Sequence, residues 1–435
     1  MTAADIAPPP GQARIPGSKS LTNRALLLAA AARGVSRVWA PLVSDDTRAF
    51  REALTACGVG LRDGAPAEFW EVTGRGGGPV GQARLWCSDA GTAARFLPPY
   101  AATGSGTFLF DGSAQLRARP QRPLATALRR LGAHVETGPG DGLPLLVCAA
   151  GLTGGELTVD SSMSSQYLSG LLMAAPLMRH GLLARAEKLV SSPYVGMTVS
   201  LMRRFGAQVE ETADGGLRVG PGGYTATDLV IEPDASTASY VFAAAAVTGR
   251  TITVPGLTAG SLQGDLRFLE TLEKAGARVT VTDSAASVTG AGRLRGGFTV
   301  DMGDISDTFM TLAAIAPLAD APITIHGIGH ARLKESDRIA AVARNLRACG
   351  IDTAQGEDWI TVFPGPLRPA RIACHRDHRI AMAFSVLGLA APGTITLDDP
   401  DCVTKTFPGF HTEMHRLFPA YDLPSGGARS AEEDV

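Results

Sequence analysis

The chain has 435 residues, of which 45% are apolar and 19% charged, and its formal net charge is −2. This length exceeds what one hydrophobic core usually serves and predicts two or three domains, while the composition is that of a globular protein. A net charge near zero gives no general attraction to nucleic acid or to an anionic membrane surface, so any anion site must be built locally.

The sequence carries no targeting or metal-binding signal. No apolar run approaches the length that spans a bilayer, and the stretch 1–10 lacks the basic and apolar regions of a signal peptide. The cysteines are scattered, without a Cys-x-x-Cys pair or a histidine at zinc spacing. We therefore expect a reduced, cytoplasmic protein that holds no metal ion.

The first element is a short strand that ends at a polar turn, Pro-Gly-Ser-Lys-Ser at 16–20, and leads into a helix. Ser18 and its neighbours can cap that helix. Lys19 lies in the turn and Arg24 one helical turn later, so both cations can face whatever the helix N-terminus faces. Free N–H groups, the positive end of the dipole and two cations together predict an anion site.

A helix-end signal then recurs along the chain. Each instance is an apolar helix that finishes in basic or small residues and is followed by a glycine, the residue that a left-handed C-cap favours. The spacing is 70 to 74 residues, with the glycines at Gly58, Gly132, Gly206, Gly276 and Gly350.

Strand ends form a second series in step with the first. Each predicted strand is followed by a polar turn and an alanine-rich, apolar helix, which indicates six units of about seventy residues. A helix that is apolar nearly all round is a buried helix. The strand ends lie 69 to 73 residues apart, at Ile15, Cys87, Val159, Ile231, Val300 and Ala373.

Related units place their turns in equivalent positions, so the six helix N-termini should point in related directions. We expect two compact domains of three units each, with a break near Pro233 and a ligand site in the cleft between them. The polar turns are at 16–20, 88–92, 160–166, 232–237, 301–307 and 375–379.

These turns, in this order, resemble those of the enolpyruvyl transferase family, most closely its shikimate-pathway members. The resemblance covers residues 16 to 408. The matching stretches are Pro16-Gly-Ser-Lys-Ser-x-x-x-Arg24-Ala, Ala90-Gly-Thr-Ala, Arg119-Pro120, Ser164-Ser-Gln166, Ser191-x-Pro-Tyr194, Lys334-Glu-Ser-Asp-Arg338, Asp377-His-Arg379 and Lys405-Thr-Phe-Pro.

The resemblance implies a two-domain, inside-out α/β barrel of six βαβαββ units with the ligand site in the interdomain cleft. The domain of residues 16–233 would bind mainly shikimate 3-phosphate, and residues 1–15 with 234–435 would complete the phosphoenolpyruvate site. We expect disorder over 424–435, where the sequence turns polar.

The implied reaction moves the enolpyruvyl group of phosphoenolpyruvate to the 5-hydroxyl of shikimate 3-phosphate and releases phosphate, by addition and elimination. It implies no cofactor, no nucleic-acid or membrane partner, and a monomer that binds two small anionic substrates. The phosphoenolpyruvate ligands implied are Lys19, Gly91, Arg119, Gln166, Arg338, Arg379 and Lys405.

The resemblance also implies the acceptor site and the catalytic groups. Asp307 would be the base, and Glu335 with Lys19 would move protons to and from carbon. The residues alone leave another interpretation open, in which Lys334 and Arg338 share one helix and merely face solvent. The implied acceptor ligands are Lys19, Ser20, Arg24, Ser164, Ser165, Gln166, Ser191, Tyr194, Asp307, His330 and Lys334.

Three positions depart from the commonest family pattern. Asp89 stands where asparagine is frequent, Phe96 where proline is frequent, and His330 where asparagine is frequent. We hypothesise that Asp89 and Phe96 shift the backbone of the Gly91 turn and alter sensitivity to phosphonate inhibitors such as glyphosate.

Other functions fit less well. An enolpyruvyl transferase for a UDP-sugar usually carries a reactive cysteine on the loop represented here by 113–120, and this loop has none; a nucleotide or another acceptor remains open. A six-repeat clamp on nucleic acid would need a basic inner surface. A phosphate-loop nucleotidase would need a Gly-x-x-x-x-Gly-Lys-Ser spacing that the turn at 16–20 lacks.

Overall fold

The computed structural model describes residues 11–65, 68–391 and 393–424. The chain divides into two compact units. The first unit is Pro16–Asp234 with Leu262–Gly264, and the second is Met1–Ile15, Ala235–Ser261 and Asp265–Val435. Residues 425–435, most of the tail for which disorder is expected, lie outside the described residues.

The first unit alternates helices with short strands. Its helices are α1 (Lys19–Ala31), α2 (Asp45–Ala56), α3 (Gly91–Ala102), α4 (Ala114–Arg117), α5 (Arg122–Arg130), α6 (Gln166–Ala174) and α7 (Ser192–Arg204). Its strands are β1 (Ala32–Trp39), β2 (Gly60–Asp63), β3 (Phe69–Arg75), β4 (Val80–Trp86), β5 (Ser105–Asp111), β6 (His134–Thr137), β7 (Leu145–Ala150), β8 (Gly155–Asp160), β9 (Leu182–Glu187), β10 (Val209–Glu211), β11 (Leu217–Val219), β12 (Tyr224–Thr225) and β13 (Leu229–Val230).

Two sheets of this unit share one topology. The orders β4-β5-β7-β6 and β8-β9-β11-β10 each begin with a parallel pair and continue with antiparallel pairs. A helix crosses over between the parallel strands, as such a connection requires. In the third sheet, β1-β3-β2, the late strands β12 and β13 pair in parallel with β1.

The second unit also alternates helices with short strands. Its helices are α8 (Ala235–Thr248), α9 (Phe268–Lys274), α10 (Phe309–Ile315), α11 (Arg338–Ala348), α12 (His378–Ala390) and α13 (Phe410–Leu417). Its strands are β14 (Thr251–Pro255), β15 (Arg278–Val281), β16 (Ala285–Thr289), β17 (Phe298–Asp301), β18 (Ile323–His326), β19 (Thr353–Gln355), β20 (Trp359–Val362), β21 (Ala370–Ile372) and β22 (Ile395–Leu397). They form the sheets β17-β18-β20-β19, β14-β16-β15 and β21-β22, and the first of these has the same strand order as the two sheets of shared topology in the first unit.

Five of the six predicted strand ends are confirmed to within one residue, at the ends of β4, β8, β13, β17 and β21. The sixth is wrong, because Ile15 ends no strand. The chain near it makes only isolated bridges, Gln12 with Thr253 and Gly17 with Pro233. It passes from one unit to the other after Ile15, and the next residue, Pro16, has no N–H to continue a ladder.

The helices that follow the polar turns are buried, as their composition predicts. In α1 every residue from Leu21 to Ala31 is buried, and in α8 every residue from Ala235 to Ala246. Helix α3 packs against α1 and α6, and α8, α10 and α12 pack against one another. Each unit therefore has its own apolar core, and its polar turns sit at the N-termini of rigid, buried helices.

The glycines at the helix ends all adopt the left-handed conformation, which confirms the repeated C-cap. Their φ angles are +79° at Gly58, +101° at Gly132, +86° at Gly206, +95° at Gly276 and +81° at Gly350. A side chain at these positions would be strained, whatever the space around it.

The left-handed conformation of Gly206, just after α7, predicts that its substitution changes stability in the opposite direction to a substitution of Gly196, within α7. Gly206→Ala should lower the free energy of unfolding by about 1 kcal/mol, because alanine tolerates a positive φ poorly. Gly196→Ala, inside α7 where an added Cβ meets nothing within 4 Å, should raise it by about 0.5–1 kcal/mol. Urea unfolding followed by circular dichroism measures both. Effects of the same sign would contradict the assignment of Gly206 as a C-cap.

Candidate active site

The N-terminus of α1 holds the first cation. Ser18 caps the helix, and its Oγ accepts a hydrogen bond from the Leu21 N–H at 3.5 Å. The Lys19 N–H donates to Asp234 Oδ2 at 3.0 Å, and Lys19 Nζ lies 3.1 Å from Asp46 Oδ2. The lysine is thus fixed at both its backbone and its ammonium group.

Gly91, at the N-terminus of α3, touches two of the predicted phosphoenolpyruvate ligands. A Cβ on Gly91 would lie 3.0 Å from Arg119 Nη1 and 3.8 Å from Gln166 Oε1. The turns at 88–92, 119–120 and 164–166 therefore meet. A side chain at 91 would take the space beside the guanidinium group, so the glycine keeps it open.

Arg95 belongs to the same cluster and was not among the predicted site residues. Its Nη1 donates to Gln166 Oε1 at 2.9 Å, and its guanidinium carbon lies 5.2 Å from the centre of the Tyr167 ring. This bond fixes the orientation of the Gln166 amide, with its NH₂ turned away from Arg95. Gly91 and Arg95 are four residues apart on one helix face, a signal that the sequence does contain.

The serines predicted to bind the acceptor phosphate are buried at two helix starts. Ser164 and Ser165 precede α6, and the Ser164 Oγ accepts from the Gln166 N–H at 3.2 Å. Ser191 precedes α7 and has a φ of +52°, a strained conformation for a residue with a side chain. Tyr194, in the first turn of α7, is half-buried, and its N–H donates to the Ser191 carbonyl.

Arg24 lies inside the first unit, only 1% exposed. Its Nε donates to Thr198 Oγ1 at 2.7 Å and its Nη1 to the Ser20 carbonyl at 3.1 Å. Its Nη2 donates to Ser169 Oγ at 3.4 Å and to the Tyr194 carbonyl at 3.3 Å. Burial lowers the pKa of Arg24 to about 10, against a smaller opposing effect of Tyr194.

In the second unit, Asp307 brings three predicted cations together. Its Oδ2 lies 2.7 Å from Arg379 Nη2, and its Oδ1 lies 3.0 Å from Arg338 Nη1 and 3.8 Å from Lys334 Nζ. Burial would raise the pKa of the Asp307 carboxyl, but Arg379, Lys334 and Arg338 outweigh it and hold that pKa far below its usual range. Asp307 is therefore ionised.

Arg338 is the most enclosed member of this cluster. Its Nη2 lies 2.7 Å from Glu335 Oε2, and its Nε lies 2.9 Å from Asp377 Oδ2. Burial would lower the pKa of Arg338, but Asp377, Glu335 and Asp307 raise it above the usual value. Lys405 Nζ, 3.6 Å from Glu335 Oε1, completes the set.

The interpretation in which Lys334 and Arg338 share a solvent-facing helix is wrong. Helix α11 begins at Arg338, capped by Asp337, and Lys334 lies in the loop before it. Asp337 Oδ1 accepts from the Ala340 N–H at 3.0 Å, and both its oxygens accept from Arg332 Nη1. This cap fixes the end of the loop that contains Lys334. The hydrophobic pattern of the sequence alone could not show where that loop ends and α11 begins.

His330 is buried beside Ser306, 2.7 Å from Nε2 to Oγ. Burial, aided by Lys334, lowers the pKa of His330 to about 4 against the opposing effect of Asp307. The side chain is therefore neutral at neutral pH and still has an N–H to donate, as the family's asparagine would.

No group of three or more His, Cys, Asp or Glu side chains is arranged to hold a metal ion among the residues the structure describes. Within the same residues, no helix is both long and apolar enough to cross a membrane.

Comparison with known proteins gives consistent matches along the chain. The profile of the family described as EPSP synthase (3-phosphoshikimate 1-carboxyvinyltransferase) matches residues 5–414. A 3-phosphoshikimate 1-carboxyvinyltransferase of Nostoc punctiforme is 42% identical over 407 residues, which are 93% of this chain and 95% of that protein. One of Edwardsiella ictaluri is 41% identical over 414 residues, 94% of this chain and 96% of that protein.

Solved structures agree. An EPSP synthase of Acinetobacter baumannii has a TM-score of 0.75 at 25% identity, covering 95% of this chain and 96% of that one. The enolpyruvyl transferase NikO of Streptomyces tendae has a TM-score of 0.74 at 20% identity, covering 94% of each chain, and shows the likeness of fold alone.

The enclosure of Arg338 predicts a large stability effect at Asp377. Both groups are at most 1% exposed, so Asp377→Asn should lower the free energy of unfolding of the second unit by about 3–5 kcal/mol. A suitable control is Asp214→Asn, which breaks an exposed pair with Arg185 and should change stability little. Urea unfolding compares them, and equal midpoint shifts would contradict the role assigned to Asp377.

Proposed function

Because this chain belongs to the EPSP synthase (3-phosphoshikimate 1-carboxyvinyltransferase) family and is thereby an enolpyruvyl transferase of the shikimate pathway, we propose that its two charged clusters hold phosphoenolpyruvate and shikimate 3-phosphate for addition and elimination. The observation that carries this proposal is the cation set around Asp307 and Glu335, which offers two planar guanidinium groups beside two acids. Both substrates are small and strongly anionic, so their binding needs fixed cations.

The carboxylate of phosphoenolpyruvate binds Arg338 and Arg379 in this proposal. Both guanidinium groups bind the Asp307 carboxylate, through one N–O contact each, which supports a fit to that chemical group. The phosphate binds Lys19, Arg119 and Lys405, with the Gly91 backbone and the Gln166 amide beside it.

Shikimate 3-phosphate binds mainly to the first unit. Its phosphate accepts from the hydroxyls of Ser164, Ser165 and Ser191, all of which are buried and lie at helix starts. Its carboxylate binds Ser20 and the one guanidinium N–H of Arg24 that the four hydrogen bonds described above leave over. The ring then contacts Gln166 and Tyr194, and its free hydroxyls meet Asp307, His330 and Lys334.

The chemistry begins at the 5-hydroxyl of the acceptor. Asp307 takes its proton while the oxygen adds to the second carbon of phosphoenolpyruvate, and Glu335, protonated for this step and with Lys19 beside it, gives its proton to the methylene carbon. As the substrate carboxylate shares Arg338 and Arg379, the cations favour ionised Asp307 less, and its basicity rises. Elimination then breaks the C–O bond to phosphate, which leaves with the proton held by Asp307, and Glu335 takes back a proton from the methyl group.

The family's finer architecture is also a proposal for this chain. We infer an inside-out barrel of six βαβαββ units, with the substrates in the interdomain cleft and the first domain holding most of the acceptor. The strand order that three of the sheets share supports the repeated units, and the division of the site residues between both units supports the cleft. A cytoplasmic monomer without a cofactor fits this chemistry.

The direct test measures phosphate release from phosphoenolpyruvate. Shikimate 3-phosphate should support release, whereas UDP-N-acetylglucosamine and simple nucleotides should not. Release that depends on another acceptor, with none for shikimate 3-phosphate, would overturn the assignment.

Loss of the proposed base should separate turnover from binding. Asp307→Asn should lower kcat by about 10²–10⁴-fold, the usual contribution of a general base, while both substrates still bind. The matched control is Asp304→Asn, an aspartate three residues away that pairs with Arg267 at the surface. Steady-state kinetics and calorimetric binding measure the two effects. Near-normal turnover would remove Asp307 as the base.

A methyl group at position 91 should weaken the binding of phosphoenolpyruvate and leave that of shikimate 3-phosphate nearly unchanged. In Gly91→Ala the new Cβ lies 3.0 Å from Arg119 Nη1 and must displace it by a few tenths of an ångström. The KM for phosphoenolpyruvate should rise roughly 10- to 100-fold, and the KM for shikimate 3-phosphate should change little. Gly196→Ala, where there is open space, serves as the control. An unchanged KM for phosphoenolpyruvate would contradict the placement of its phosphate.

A further inference from the structure

Arg24 differs from Arg338, the other site arginine that is only 1% exposed, in how its charge is compensated. Arg338 has three carboxylates around it. Arg24 forms no ion pair with any residue of the described ranges, and its hydrogen bonds go to two hydroxyls and two carbonyls. A buried cation without an anionic partner is costly unless something else offsets the lost hydration.

Phe96 supplies part of that compensation. The Arg24 guanidinium carbon lies 4.9 Å from the centre of the Phe96 ring and 6.0 Å from that of Tyr194. Phe96 is completely buried on α3, so its ring is held in place by the core. The negative face of an aromatic ring attracts a guanidinium group at this distance, and the attraction is strongest where both are desolvated.

The hydrogen bonds of Arg24 decide what it can offer to a ligand. A guanidinium group has five N–H donors, and four hydrogen bonds to the protein account for all but one. The remaining N–H belongs to Nη1, the atom that also donates to the Ser20 carbonyl at 3.1 Å. Arg24 therefore presents a single donor, fixed in direction, at the first turn of α1.

We infer that Phe96 is a positioning residue for the acceptor: its ring clamps the Arg24 guanidinium in place of a counter-carboxylate, and so sets how tightly Arg24 binds the acceptor's carboxylate. The inference rests on the proposed function, in which that carboxylate belongs to shikimate 3-phosphate. Substitution of a residue that only fills the core would change the KM values of both substrates or of neither. Phe96 acts on one of them.

The sharpest test keeps the shape of the ring and weakens its negative face. Trifluorophenylalanine in place of Phe96 should raise the KM for shikimate 3-phosphate about tenfold, as expected for loss of a desolvated cation–π contact, and leave kcat and the KM for phosphoenolpyruvate within about twofold. Phe96→Met, which removes the ring, should shift the same constant further. Phe108→Met, at another buried phenylalanine of the first unit, is the control for core damage and should spare all three constants. An unchanged KM for the acceptor, or equal changes in both KM values, would overturn the inference.

A second measurement tests the clamp without turnover. In a double-mutant cycle of Phe96→Met and Arg24→Gln, the effects on urea unfolding should be less than additive, since either change removes the same contact. Additive effects would disprove the clamp. If the wild-type protein transfers nothing to shikimate 3-phosphate, the proposed function fails and the acceptor role with it, while the cycle still decides whether the clamp exists.

Discussion

The burial of the Arg338 guanidinium among three carboxylates is the constraint on which the second unit's site depends. A cation that is 1% exposed requires anions close by, and Asp307, Glu335 and Asp377 provide them from three different turns. Because Asp377 also caps α12 through the Arg379 N–H, the same contact fixes the arginine that follows. The cations are thus set in place before any anion of the substrate arrives, which is how electrostatic catalysis avoids reorganisation.

The first unit positions its anion-binding groups in a different way. Its functional groups stand at the N-termini of buried helices, where free N–H groups and the helix dipole favour anions. Lys19 is paired with one acid, Asp46, whereas Arg24 is surrounded by neutral acceptors and an aromatic ring. A cation compensated in this weaker way gains more from an anionic ligand, which suits the acceptor site proposed for this unit.

Local signals in the sequence predicted much of this structure. The glycines at the helix ends were predictable because a positive φ is a property of the residue itself, and Gly206 shows it at +86°. The buried helices followed from composition. The prediction of a strand ending at Ile15 was wrong because a strand forms only where a pairing partner is present, which the local pattern does not show. Arg95 could have been found from its place four residues after Gly91 on α3, whereas the loop position of Lys334 depends on contacts that no hydrophobic pattern records.

The fixed charges of both units are proposed to promote addition to phosphoenolpyruvate followed by elimination. If the methylene carbon is protonated and later loses a proton, the reaction in D₂O must leave deuterium in the vinyl group of the product. Mass spectrometry of the enolpyruvyl product of shikimate 3-phosphate measures this directly. Deuterium is expected at the methylene carbon. A product formed at full rate with no deuterium there would contradict it.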